Sequence, residues 1–158
     1  MTTPLKPGQP APDFTAAATD GELTLSALRG QPVVLYFYPK DNTPGCTTEA
    51  CDFRDLSAAF AEAGARIYGV SQDSIRKHEN FIEKHSLSFP LISDPDHTVH
   101  HAYDTWVEKK NYGRTYMGTE RSTFLIDARG NLARIWRNVR VKGHVDEVLA
   151  AVKGLAGA

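Results

Sequence analysis

Apolar positions along the chain fall into short unbroken runs separated by segments of helical spacing. Val33-Val-Leu-Tyr-Phe-Tyr38 is apolar throughout, which predicts a strand buried on both faces and therefore central in a sheet. Ala65-Arg-Ile-Tyr-Gly-Val-Ser71 reads as a second core strand and Phe89-Pro-Leu-Ile-Ser-Asp94 as a short third one. Between the first two, Cys46, Phe53 and Phe60 recur at heptad steps with Ala50 and Leu56 close by, which predicts one helix from Pro44 to about Ala63 with a single inward face. Asp73 or Ser74 caps a further helix through about His85, with Ile75, Phe81 and Ile82 inward.

The flanks complete the pattern. A Pro-rich lead-in up to Pro12 is expected to be extended, Asp13–Thr19 and Glu22–Leu25 form two short strands around Asp20-Gly21, and Ser26–Gly30 makes one helical turn. His97 to about Tyr103 predicts a short helix, and Val107 to Gly118 a polar loop long enough to be functional. Arg121–Ile126 and Leu132–Val139 pair as a hairpin around Asp127–Asn131, and the last helix, from His144 to about Leu155, aligns Val145, Val148, Leu149, Val152 and Leu155 on one stripe. A β-α-β-α half followed by β-β-α gives an α/β fold, a central mixed sheet flanked by helices: the thioredoxin-like architecture with N-terminal and mid-chain insertions.

Composition narrows the class. With 158 residues, 41% of them hydrophobic, the chain has the length for one substantial core and is expected to form a single domain. A net charge of -1 without long runs of either sign argues against nucleic-acid and membrane-surface roles. The opening shows no basic region followed by an apolar one, and no run approaches transmembrane length, so a cytoplasmic protein is expected. Two cysteines in a chain of this length fit a reducing compartment, where thiols react rather than staple.

Both cysteines lie in Pro39-Lys-Asp-Asn-Thr-Pro-Gly-Cys-Thr-Thr-Glu-Ala-Cys51. Thr43 reads as a helix N-cap, worth about 1 kcal/mol, with Pro44 at the first helical position. Cys46 then sits in the first turn, where free backbone N–H groups and the positive end of the dipole favour a thiolate at neutral pH. Cys51 lies about 140° further round the helix, and an intact helix separates the two Cα atoms by roughly 8.5 Å. A disulfide needs less than about 7 Å, so any bond between them within one chain requires the helix to lose its first turn or two. The plain alternative is a pair of buried thiols acting as small hydrophobes.

The pattern Pro39-x-x-x-Thr43-x-x-Cys46 resembles the peroxidatic motif of the peroxiredoxins, and a second cysteine at position 51 resembles the peroxiredoxin Q subgroup, also called bacterioferritin comigratory protein. The likeness continues in Gly8-Gln-Pro-Ala-Pro-Asp-Phe14, in Gly69-Val-Ser-Gln-Asp-Ser74 and in Glu108 to Gly118. Arg121 matches the arginine that lies against the reactive sulfur in that family. One departure is Trp106-Val107-Glu108-Lys109, where many relatives have glycine after the tryptophan, so positive φ is disfavoured there.

The resemblance implies a thiol-dependent peroxidase without metal, haem, flavin or other cofactor, acting on hydrogen peroxide and alkyl hydroperoxides. Cys46 would be oxidised to the sulfenic acid, Cys51 would resolve it as an intramolecular disulfide, and thioredoxin or a similar dithiol would reduce that bond. Arg121 and Thr43 would hold the peroxide and stabilise charge on the leaving oxygen. Pro39 reads either as a shield for the thiolate or as a turn residue, and Glu49 either as an orienter of Arg121 or as a charge favouring the helix dipole. The subgroup implies a monomer. Two other readings stay open: a thiol–disulfide exchange protein without peroxidase activity, and a metal-binding module using the His97/His101 pair near Asp94 and Asp96.

Overall fold

β3 (Val33–Phe37) is buried at all five positions, as its apolar run predicts. It is an interior strand, fifth of seven, in a sheet ordered β2-β1-β5-β4-β3-β8-β9. The computed structural model describes residues 5–156, so part of the expected extended lead-in lies outside the described residues. The other strands of this sheet are β1 (Thr15–Ala18), β2 (Gly21–Thr24), β4 (Arg66–Ser71), β5 (Leu91–Ser93), β8 (Ser122–Ile126) and β9 (Leu132–Trp136). β3 runs parallel to β4 and antiparallel to β8, and β4 is parallel to β5, which makes the sheet mixed.

Alternation along β3 sends residues to two cores. Val34 and Tyr36, with Tyr38 just beyond, face Phe53, Phe60, Phe81, Val148 and Val152 of α1 (Pro44–Asp55), α2 (Ser57–Glu62), α3 (Ile75–His85) and α5 (His144–Ala156). Val33, Leu35 and Phe37 face Phe14, Val99, Tyr103 and Phe124 on the other side, where α4 (Thr98–Ala102) lies. Each fully buried aromatic or aliphatic side chain contributes roughly 1.5–3 kcal/mol. Gly69 permits the closest approach in the first core: a Cβ there would stand 2.8 Å from Tyr36 Cζ and 2.7 Å from Leu91 Cδ2. Its absence lets the Tyr36 ring cross β4 and stack on Phe53 at 4.6 Å.

Three expectations change. The helix expected from Pro44 to Ala63 breaks at Leu56 (φ -103°, ψ 7°) into α1 and α2. The Ser57 hydroxyl donates to the Arg54 carbonyl at 2.8 Å, competing with the helical ladder at that turn. In α3, Ser74 is the cap, accepting from the Lys77 N–H, but the buried residues are His78 and Phe81, with Ile75 and Ile82 only partly covered. The polar loop expected from Val107 to Gly118 is a hairpin of β6 (Trp106–Asn111) and β7 (Arg114–Thr119).

Tyr112 (φ 51°) and Gly113 (φ 75°) make the hairpin's two-residue turn, with the paired positive φ angles of a type I′ connection. Val107 lies in an extended strand opposite Gly118, where a β-branched residue fits. The exposed large apolar side chains among the described residues, Tyr112, Tyr116 and Met117, all sit on this hairpin.

Candidate active site

The chain leaves β3 in the sheet interior, passes through residues 38–43 and enters α1, which carries Cys46 on its buried face at 1% exposure. Both cysteines are free thiols, and Cys51 is half-buried on the same helix. β8 pairs antiparallel to β3 with Phe37 opposite Ser122, so Arg121 comes level with the exit of β3 and reaches back over the first turn of α1. Its main chain is held by the Val139 N–H, which donates to the Arg121 carbonyl at 2.9 Å.

Arg121 Nη2 donates to Cys46 Sγ at 3.2 Å, and Nη1 donates to Glu49 Oε1 at 2.7 Å. Cys46 and Glu49 lie one turn apart on the same face of α1, so one guanidinium bridges both. Gly45 keeps that approach open: a Cβ there would lie 3.3 Å from Arg121 Nη2. The sulfur thus accepts from a guanidinium in the first turn of the helix.

Glu49 is fully buried and its Oε2 has no hydrogen-bond partner. Burial pushes its carboxyl up to about 7, against the opposing pull of Arg121. For Arg121, burial acts to lower the pKa, but Glu49 and Cys46 outweigh it and raise it. Tyr36, also buried with an unpartnered hydroxyl, is held well above the usual phenol range by burial first and then by the Glu49 charge. Lys109 of β6 turns towards the same site; partial burial and then the Arg121 charge lower its pKa.

The residues expected here are therefore brought together unequally. Cys46, Glu49 and Arg121 form one contact cluster, with Glu49 in the orienting position. Thr43 is the N-cap by backbone position, but its hydroxyl makes no capping bond and donates instead to the Lys40 carbonyl at 2.8 Å. The 1 kcal/mol expected from side-chain capping is thus absent: the Lys40 carbonyl, three residues back, captures the hydroxyl first. Pro39 is partly buried at the exit of β3.

Sequence reasoning missed Lys109, placed in a supposed loop, and the buried pair Asp41 and His78. His78 Nδ1 lies 2.7 Å from Asp41 Oδ2, and its Nε2 donates to the Ile92 carbonyl at 2.9 Å. A polar His78 on the apolar stripe of α3 was the one available signal. Asp41, Asp73 and His78 form a group of metal-ligand type, but their ligating atoms are already hydrogen-bonded to one another and to Tyr38 and Ser71. The pair considered for zinc is split up: His97 stacks on Trp106 and His101 is exposed, while His100 beside them is buried against Asp94 and Thr119.

Residues 7–135 match the AhpC/TSA family. A Bacillus subtilis protein named peroxiredoxin Bcp is 55% identical over 150 residues, covering 94% of this chain and 96% of that one. A Xanthomonas campestris peroxiredoxin Bcp is 50% identical over 135 residues, 85% of this chain and 84% of that one. Among solved structures, a Xylella fastidiosa PrxQ mutant superimposes with a TM-score of 0.91 at 38% identity, over 98% of this chain and 99% of that one. A Xanthomonas campestris bacterioferritin comigratory protein, solved in trapped intermediate and ligand complexes that bear on its alkyl peroxide reduction, superimposes with a TM-score of 0.88 at 46% identity, over 96% and 98%. These neighbours carry the thioredoxin-like fold expected from the element pattern.

Proposed function

Since the chain belongs to the AhpC/TSA family, in its peroxiredoxin Q (Bcp) branch, and is a thiol-dependent peroxidase, we propose that Cys46 is the residue that reduces the peroxide and Cys51 the one that resolves it. The observation that carries the assignment is the 3.2 Å contact between Arg121 Nη2 and Cys46 Sγ at the start of α1. Hydrogen peroxide and alkyl hydroperoxides are the substrates.

The Cys46 thiolate attacks the terminal peroxide oxygen. An S–O bond forms as the O–O bond breaks, and the departing oxygen takes a proton and leaves as water or alcohol. Arg121 holds the sulfur and the incoming oxygens in line and stabilises charge on the leaving oxygen, while Glu49 fixes the guanidinium. Thr43 and Pro39, at the mouth of the site, position the peroxide and limit water. The Cys51 thiolate then attacks the Cys46 sulfur, forming the disulfide and releasing hydroxide, which leaves as water. Because α1 is regular from Pro44 to Asp55, this step requires its first turns to unwind. An external dithiol, for which thioredoxin is the proposed donor, restores both thiols by exchange.

The reading further takes the protein to be a single-domain cytoplasmic monomer without a metal or organic cofactor. Two free thiols support the compartment, and no described helix is long and apolar enough to cross a membrane. The test is a peroxidase assay with a thioredoxin-recycling system on the wild type, Cys46→Ser and Cys51→Ser. Cys46→Ser is expected to be inactive. Cys51→Ser is expected to complete one thiol oxidation, stall without an added thiol and over-oxidise at lower peroxide doses. Retained turnover in Cys46→Ser overturns the assignment.

A further inference from the structure

Residues 38–43, which join β3 to α1 and include Thr43, are tied down from below. The Tyr38 hydroxyl donates to Asp41 Oδ1 at 2.6 Å, and the Asp41 N–H donates to Asp73 Oδ2 at 2.8 Å. His78 closes the third contact, 2.7 Å from Asp41 Oδ2. The Ile92 carbonyl can only accept, so His78 Nε2 carries a proton, and a second proton lies between Nδ1 and the Asp41 carboxyl. Asp73 is itself held by the Ser71 hydroxyl at 2.7 Å, and the Ser93 hydroxyl donates to the Asp73 carbonyl at 2.6 Å. Asp41, Asp73 and His78 are all buried. Asp41 is thus anchored to α3 directly, by its side chain, and to β4 and β5 indirectly, by its N–H through Asp73. Asn42, the residue after it, is turned into the left-handed region at φ 63°.

We propose that the Asp41–His78 pair is a positioning latch that holds the catalytic turn closed and thereby sets how fast Cys46 is passed to Cys51. The proposal rests on the reading that Cys51 resolves Cys46 through unwinding of α1. Residues 39–43 lead directly into the turn that must open, and the latch is the buried attachment on the strand side of that turn. Loss of His78 leaves Oδ2 of the buried Asp41 carboxylate unpartnered, with only Oδ1 still held by Tyr38, and Oδ2 regains solvation only by moving out with the turn. The closed form is the one that reacts with peroxide, and the open form is the one that makes the disulfide. If the open form starts at about 1%, a tenfold rise in its share lowers the closed fraction only to about 90%. Weakening the latch therefore speeds resolution while scarcely slowing peroxide oxidation, a split that general destabilisation does not produce.

The experiment measures two rates by rapid quench and mass spectrometry: oxidation of Cys46 by hydrogen peroxide, and formation of the Cys46–Cys51 disulfide. His78→Ala is expected to raise the second about tenfold, to change the first less than twofold, and to raise the peroxide dose needed for inactivation. His78→Gln, which retains a donor towards Asp41, serves if His78→Ala does not fold and is expected to raise the second rate by a smaller factor. In Asp41→Asn the side-chain oxygen still accepts from Tyr38 and the amide donates to His78 Nδ1, so both rates are expected to stay within twofold of wild type. Leu132→Ala, a core truncation on the opposite face of the sheet, controls for lost stability and is expected to leave the split unmoved. A folded His78 variant whose disulfide forms at the wild-type rate, or whose two rates fall together, overturns the latch. If the wild type forms no Cys46–Cys51 disulfide at all, the resolving role of Cys51 fails instead.

Discussion

Replacing Glu49 by glutamine sets the stability of this fold against the order of its active site. The wild-type carboxyl is fully buried, one oxygen is unpartnered, and burial lifts it from 4.5 to about 7. At about 1.4 kcal/mol per tenfold change in proton affinity, that shift means about 3 kcal/mol. The folded pKa is raised, so the favourable contribution is fully present below 4.5 and is lost as pH rises through about 7. Glu49→Gln removes the penalty, while the amide oxygen still accepts from Arg121, whose side chain is 17% exposed and retains some solvation.

The variant should therefore match the wild type near pH 4.5 and exceed it by up to about 3 kcal/mol at pH 8, which is several degrees in Tm for a chain of this size. Oxidation of Cys46 should fall about tenfold, because Arg121 then donates to a neutral amide instead of a carboxylate and is held in place less firmly. The assay is thermal unfolding of the reduced protein at half-unit pH steps, read as the difference between variant and wild type, with peroxide oxidation followed at pH 7.5. A variant less stable than wild type above about pH 5, with a deficit that shrinks as pH falls, would refute the reasoning: the ion pair with Arg121, not desolvation, would then dominate.

Arg121→Met should slow Cys46 oxidation by about 10²–10³, as for loss of one oxyanion donor, measured by competition for hydrogen peroxide with a reference peroxidase. Gly69→Ala should cost about 1–3 kcal/mol in chemical denaturation, because its Cβ meets Tyr36 and Leu91 inside van der Waals contact. His144, held down to about 4 by burial first and then by Arg121 and Arg134, against an opposing pull from Glu147, donates to or accepts from Thr123 at 2.8 Å. Its folded pKa is depressed, so its contribution is present above 6.5 and lost as pH falls through about 4. His144→Asn should flatten the acid limb of the stability curve between those values, the reverse of the Glu49 effect.

The strands, the inward face of α1, the stripe of α5 and the helix-start position of Cys46 were legible along the chain because each is reported by neighbours within a few turns. Periodicity and turn chemistry are local signals. The break at Leu56 and the β6–β7 hairpin were missed for local reasons of another kind: a serine hydroxyl diverting one carbonyl, and a polar two-residue turn between strands with little apolar alternation.

Sequence by itself put Cys46 at a helix start inside the family motif; resemblance named Arg121, but no spacing within the chain placed it. Only the β3–β8 register, Phe37 opposite Ser122, carries that guanidinium across 75 residues of chain to the sulfur. The same is true of His78 beneath Asp41, which the parallel pairing of β4 beside β3 and the descent of α3 bring into contact. The physical reason is that a charge's effect depends on distance and burial, and both are settled when strands choose their partners.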